Sequence, residues 1–171
     1  MRLLFIGDSL IEYFDWQERF PSHQVYNLGI AGETVEGLLY RLSDILKNYP
    51  AADYVFVMTG INNVAMEDLD FFSTYEQLLK ELKNAYPASR IYIHSLLPVD
   101  VDFIENSLIH TVNERLREMA RRFDIGYIDI YRQFADERGA PKEGYLLDDG
   151  VHLSNKGYEV WSKEIEKVLK I

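Results

Sequence analysis

Ser9 stands in the stretch Arg2-Leu-Leu-Phe-Ile-Gly-Asp-Ser-Leu-Ile, where a short apolar run stops at Gly7 and turns polar at Asp8 and Ser9. Far away in the 171-residue chain, His152 follows Asp149 by three residues in the stretch LLDDGVHLSNKGY, Leu146 to Tyr158. A serine hydroxyl attacks a carbonyl only when a neighbouring base takes its proton, and histidine, with an ordinary pKa of about 6.5, is the usual base. A carboxylate on the other ring nitrogen fixes the tautomer and stabilises the imidazolium. Ser9, His152 and Asp149 are therefore candidates for nucleophile, base and orienting acid in acyl transfer, with Asp148 as a competing acid. The developing oxyanion needs donors. The backbone N–H groups of Ser9 and Gly32 and the Asn62 amide could supply them, with Asn63 as the alternative amide. Glycine at position 32 lets the backbone approach a ligand without interference from a Cβ. Each residue also has a plainer use. Ser9 can cap a helix, Asp8 can bond local N–H groups in a turn, Gly32 and Asn62 can be turn residues, and His152 can sit on a surface loop. His23, His94 and His110 have no chemical company and read as structural.

The elements that must carry these residues follow from periodicity. Apolar, β-rich runs recur at Leu3–Ile6, Gln24–Leu28, Tyr54–Met58, Ile91–Ser95 and Gly126–Ile130. Those at Leu3, Tyr54 and Ile91 are continuously apolar, as in a sheet covered on both faces. Between them, helical spacing of apolar residues runs from Thr34 to Leu46, Phe72 to Tyr86, Ile104 to Phe123 and Asn155 to Leu169. Strands alternating with helices predict an α/β chain with a parallel, doubly wound sheet, whose site lies at the carboxyl ends of the strands. The turns after the first three strands, beginning at Gly7, Asn27 and Thr59, should open at that one edge. Leu10, Ile11, Val64, Leu97, Pro98 and Val151 lie near these turns and are candidates to line an acyl pocket, core packing being their plainer role. Tyr145 and Tyr158 are candidates to contact the alcohol part, again with packing as the simpler account.

Length and composition, 47% hydrophobic and 27% charged, suit one domain over residues 1–171. A net charge of −10 repels nucleic-acid phosphates and anionic membranes, so neither is an expected partner. The absence of cysteine excludes disulfides and a thiol nucleophile. The run Leu3–Ile6 is too short for a signal-peptide core and nothing approaches a membrane span, so a cytoplasmic location is expected. Short loops without a lid segment favour a small acyl ester over a long-chain lipid at an interface.

Four blocks in order, Gly7-Asp8-Ser9-Leu10, GIAGET around Gly32, GINN around Asn62, and DDGVH ending in His152, resemble the SGNH hydrolases, also called GDSL esterases and lipases. The Gly-x-Ser-x-Gly elbow of the classical α/β-hydrolases is absent. The resemblance implies a three-layer α/β/α sandwich of five parallel strands in flavodoxin-like order 2-1-3-4-5. It also implies a serine esterase with Ser9 as nucleophile, His152 as base beside Asp149, and an oxyanion hole of Ser9 N–H, Gly32 N–H and the Asn62 amide, with no metal or organic cofactor. Asn62-Asn63 replaces the common Asn-Asp, and with SLLPV and HLSNKGY this is similar to the platelet-activating-factor acetylhydrolase subunits. That branch implies short, acetyl-sized acyl groups and a homodimer. Two alternatives stand beside it: an acyl transferase using the same site, and a non-catalytic flavodoxin-like binding module, which the missing Gly-x-Gly-x-x-Gly cradle disfavours.

Overall fold

The computed structural model describes residues 1–170; Ile171, the last residue of the expected domain, lies outside them. Five parallel strands, β1 (Arg2–Gly7), β2 (Gln24–Gly29), β3 (Tyr54–Met58), β4 (Arg90–His94) and β5 (Gly126–Ile128), form one sheet in the order β2-β1-β3-β4-β5. This is the expected 2-1-3-4-5 arrangement. In β1, Leu4 and Ile6 face one side while Leu3 and Phe5 face the other, and all four are wholly buried. Burial on both faces is why this strand, like β3, reads as an uninterrupted apolar run. Edge strand β2 is only half-buried.

One face is covered by α3 (Val35–Asn48), α5 (Phe72–Ala85) and α6 (Asn106–Arg122), which seat Leu38, Leu42, Tyr75, Leu78, Ile109 and Leu116 on it. The other is covered by α1 (Ser9–Glu12), α2 (Trp16–Arg19), α7 (Tyr131–Phe134) and α8 (Asn155–Leu169). Here Trp16 stacks on Phe5 at 4.4 Å and meets Trp161 edge-on at 5.0 Å. A short α4 (Ile61–Ala65) follows β3.

Boundaries shift where side chains intervene. The fifth strand ends at Ile128, not Ile130, because the Ile130 N–H turns back to the Ile128 carbonyl and Ile130 caps α7. α6 starts at Asn106 and not at Ile104: the Asn106 amide accepts from Val99 N–H at 2.9 Å and donates to the Val99 carbonyl at 2.8 Å, tying the helix start to the chain leaving β4. No helix among the described residues is long and apolar enough to cross a membrane.

Candidate active site

β1 stops at Gly7 because nothing larger fits: a Cβ there would lie 1.9 Å from the Met58 carbonyl oxygen of β3. Asp8, wholly buried, caps α1 by accepting the Leu10 N–H at 3.0 Å through Oδ1. Ser9 is thus the first residue of a one-turn helix, and its N–H has no acceptor among the described residues. The turn is held from three directions. Tyr158 of α8 donates its hydroxyl to the Leu10 carbonyl at 3.0 Å, Trp16 donates its indole N–H to the Ile11 carbonyl at 2.9 Å, and Asn27 of β2 donates its amide to the carbonyls of Ile11 and Phe14, each at 3.0 Å. Neither Trp16 nor Asn27 stood out in the sequence; nothing local marks a strand asparagine as the partner of a turn some fifteen residues earlier.

His152 reaches Ser9 across the whole length of the chain, with Nε2 3.0 Å from the serine Oγ. Its Nδ1 lies 2.8 Å from Asp149 Oδ2. Asp149 Oδ1 accepts the N–H groups of Val151 at 2.9 Å and His152 at 2.8 Å, so one carboxylate shapes the loop and holds the ring. Those two N–H groups, His152 first, followed by the bond to the imidazole, push the Asp149 pKa down to about 2. Of the two candidate acids, Asp149 is the one that touches the histidine. Tyr13 lies against the imidazole with ring centroids 5.1 Å apart.

Gly32 has φ +76, a left-handed backbone that disfavours any side chain, while the space around it is open. Conformation, more than crowding, explains the glycine. Its N–H, like that of Ser9, has no acceptor among the described residues. The loop carrying it is fixed by Glu33, whose carboxylate takes two hydrogen bonds from Arg41, at 2.5 and 2.6 Å, while Arg41 also donates to the Leu28 carbonyl at 2.7 Å. The Asn62 amide donates one hydrogen to the Glu33 carbonyl at 2.9 Å, which ties the third block to the second and leaves its other N–H for a ligand. Asn63 is wholly engaged elsewhere. Its oxygen accepts Val35 N–H at 3.0 Å, and its amide donates to Glu36 at 2.7 Å and Asp68 at 3.0 Å. It is a buried structural residue.

The six candidates for an acyl pocket lie in or against the core. Leu10, Ile11 and Leu97 lie in the core cluster on the α8 face, Val64 in the cluster on the α3 face, Pro98 is buried, and Val151 packs half-buried against the latter cluster. Apolar residues one step past a strand end continue the core before the chain reaches water. An open groove of about 540 Å³ beside His152 is lined by others, including Tyr13, Phe14, Tyr158, Leu147 and Lys156. Tyr158 therefore combines a groove wall with its bond to the Ser9 turn, and Tyr145 packs edge-on against Phe134 at 5.2 Å. His94 is buried with Nδ1 3.2 Å from the Val57 carbonyl, and burial lowers its pKa to about 4, which keeps it neutral in the core. No cluster of three or more metal-binding side chains occurs among the described residues.

A parallel α/β sheet whose carboxyl edge joins serine, histidine and aspartate in one hydrogen-bonded chain has the build of an acyl hydrolase. The GDSL-like lipase/acylhydrolase family pattern matches residues 5–160, and the chain belongs to that family, the SGNH hydrolases, as a carboxylic ester hydrolase. A structure from Streptococcus pneumonia, described as a candidate platelet activating factor, is 30% identical and superposes with a TM-score of 0.89 over 98% of this chain and 83% of that one. The N-acylneuraminate cytidylyltransferase of Escherichia coli O18:K1:H7 is 30% identical over 96% of this chain, which spans 39% of that protein's length. The platelet-activating factor acetylhydrolase IB subunit alpha1 of Rattus norvegicus is 23% identical over 98% of this chain and 74% of its own.

Proposed function

We propose that the protein is a serine esterase for short, acetyl-sized carboxylic esters, with Ser9 as nucleophile, His152 as general base and Asp149 as its orienting acid. The observation that carries this reading is the hydrogen-bonded line from Ser9 Oγ through the imidazole to Asp149, with links of 3.0 and 2.8 Å. Ser9 attacks the ester carbonyl as His152 Nε2 takes the hydroxyl proton. The Asp149 carboxylate holds Nδ1–H and stabilises the imidazolium. The oxyanion is met by Ser9 N–H, Gly32 N–H and the second N–H of the Asn62 amide. His152 then gives its proton to the leaving alcohol, and a water molecule repeats the sequence on the acyl-enzyme to release the acid.

Short acyl groups are favoured because Leu10, Ile11, Val64 and Leu97, which follow the motif-bearing turns, are all buried in the core. The name of the acetylhydrolase relatives agrees with this. The groove beside His152, walled by Tyr13 and Leu147, is suited to the alcohol part. Hydrolysis of p-nitrophenyl esters from acetate to octanoate by wild type and Ser9→Ala tests the proposal. Serine-dependent activity falling with chain length supports it. Equal rates for the two proteins refute the assignment of Ser9, and a maximum at octanoate refutes the acetyl-sized site.

A further inference from the structure

The Asp8 carboxyl does more than cap a turn. Oδ1 accepts Leu10 N–H, but Oδ2 is buried without a protein partner. Two further buried oxygens, Thr59 Oγ1 and Tyr75 Oη, are also unpartnered. Continuing the alternation of the strands puts them on one side of the sheet. The register pairs Gly7 with Met58, so Asp8 and Thr59 each stand one residue past that pair, and Tyr75 belongs to the core cluster on the α3 and α5 face together with Ile6 and Val57. Asp8 is close enough to Tyr75 to add, after burial and Tyr127, to the upward push on its phenol. Buried polar atoms left unpaired are costly, and three of them behind one turn mark a polar site that a shared proton or an ordered water completes.

We propose that Asp8 is a positioning residue that works as a neutral carboxylic acid: its Oδ1 holds the Ser9 turn, while the proton on Oδ2 is satisfied by the Thr59–Tyr75 polar site, so that no negative charge stands behind the oxyanion hole. This rests on the functional reading above. Ser9 N–H, the nearest oxyanion donor in that reading, belongs to the peptide joining Asp8 to Ser9. A carboxylate at Asp8 would repel the oxyanion through a buried, poorly screened path.

The groups facing Asp8 favour its neutral form below neutral pH. Burial is the main push on its pKa, opposed by the Leu10 N–H, reinforced by the Glu33 carboxylate and opposed again by His152; together they bring it to about 7. Tyr75 of α5 and Tyr158 of α8 bring phenols, both pushed upward chiefly by burial, and so no positive charge. The Arg41 guanidinium is spent on Glu33. Ionised Asp8 would also stabilise protonated His152, but the imidazole stands beyond the serine side chain, whereas the oxyanion donor is on the adjoining peptide, so repulsion dominates.

The decisive comparison is the pH–rate profile of wild type, Asp8→Asn and Asp8→Ala from pH 5.5 to 9, with ¹³C-carboxyl NMR of aspartate-labelled wild type and Ser9→Ala over the same range. Wild-type kcat is expected to fall roughly 10- to 100-fold across the alkaline limb as Asp8 ionises. Asp8→Asn, which keeps the cap and cannot ionise, should lose that fall, and Asp8→Ala should be slow at every pH. One aspartate carbon should titrate near neutrality in both labelled proteins, and Asp8→Asn identifies it by its disappearance. An alkaline fall unchanged in Asp8→Asn, or an Asp8 carbon ionised throughout, overturns the proposal. If Ser9→Ala retains full activity, the functional reading fails instead, and the Asp8 titration still reports on the acid by itself.

Discussion

Replacing Asp8 by asparagine should stabilise the fold at neutral pH, by an amount that grows with pH. In the folded protein Asp8 titrates at about 7, chiefly through burial, against an ordinary value of 3.8. A folded-state pKa above the unfolded one means that the native state holds the proton more tightly. Its contribution is fully present below about pH 4 and is lost as pH rises towards 7 and the unfolded chain ionises first. The difference of about 3 units, at 1.36 kcal/mol each, corresponds to about 4 kcal/mol lost between pH 4 and 8. Asparagine keeps the oxygen that accepts Leu10 N–H and cannot ionise. Urea unfolding at unit steps from pH 4 to 8 measures this directly. The stability difference between Asp8→Asn and wild type should move in favour of the mutant by up to about 4 kcal/mol across that range, because titrating groups not coupled to Asp8 cancel in the comparison. A difference independent of pH would refute the reasoning, since it would mean that Asp8 ionises alike in the folded and unfolded chains.

The two adjacent asparagines should separate cleanly. Asn62→Ala should lower kcat by roughly 10²–10³ while losing only its one bond to the Glu33 carbonyl, about 1 kcal/mol, whereas Asn63→Ala, which removes three hydrogen bonds and leaves the buried Val35 N–H without its acceptor, should cost more, about 1–3 kcal/mol in urea unfolding. Asp149→Asn retains an oxygen for the Val151 and His152 N–H groups but replaces the acceptor at Nδ1, so kcat should drop by roughly 10⁴ in a stopped assay while circular dichroism is unchanged. Asp149 itself is held at about pKa 2, so its contribution to stability is present above pH 4 and should fade only as acid titration approaches pH 2, which far-UV circular dichroism can follow. Gly7→Ala should shift the thermal midpoint downward more than any of these, because its Cβ would overlap a backbone carbonyl of β3.

What could be read from the chain alone was whatever depends on local pattern. The strands β1 and β3 announce themselves because burial on both faces leaves Leu3–Ile6 and Val55–Met58 continuously apolar, and α8, with its periodic Trp161, Ile165 and Leu169, is found at its full extent, Asn155 to Leu169. The one-turn helices α2, α4 and α7 escape because four or five residues cannot display a 3.6-residue period. The Asp149–His152 pair is legible for the same local reason: the contact closes within a three-residue turn. Glu33 and Arg41 are not, since an ion pair eight residues apart forms only once the helix has been set against its own preceding loop. Nor could the apolar residues after each strand be sorted into pocket and core, because their chemistry is the same and only the depth of the neighbouring turn decides. Asp8 lies across this divide. Its first oxygen follows from sequence, as an aspartate before a short helix accepts the N–H two residues on. Its second oxygen has meaning only through tertiary burial, which leaves it without a protein partner. A turn motif that reads as simple capping thus gains an ionisable group next to Ser9, and the fold, by excluding water from that group, decides the charge it carries.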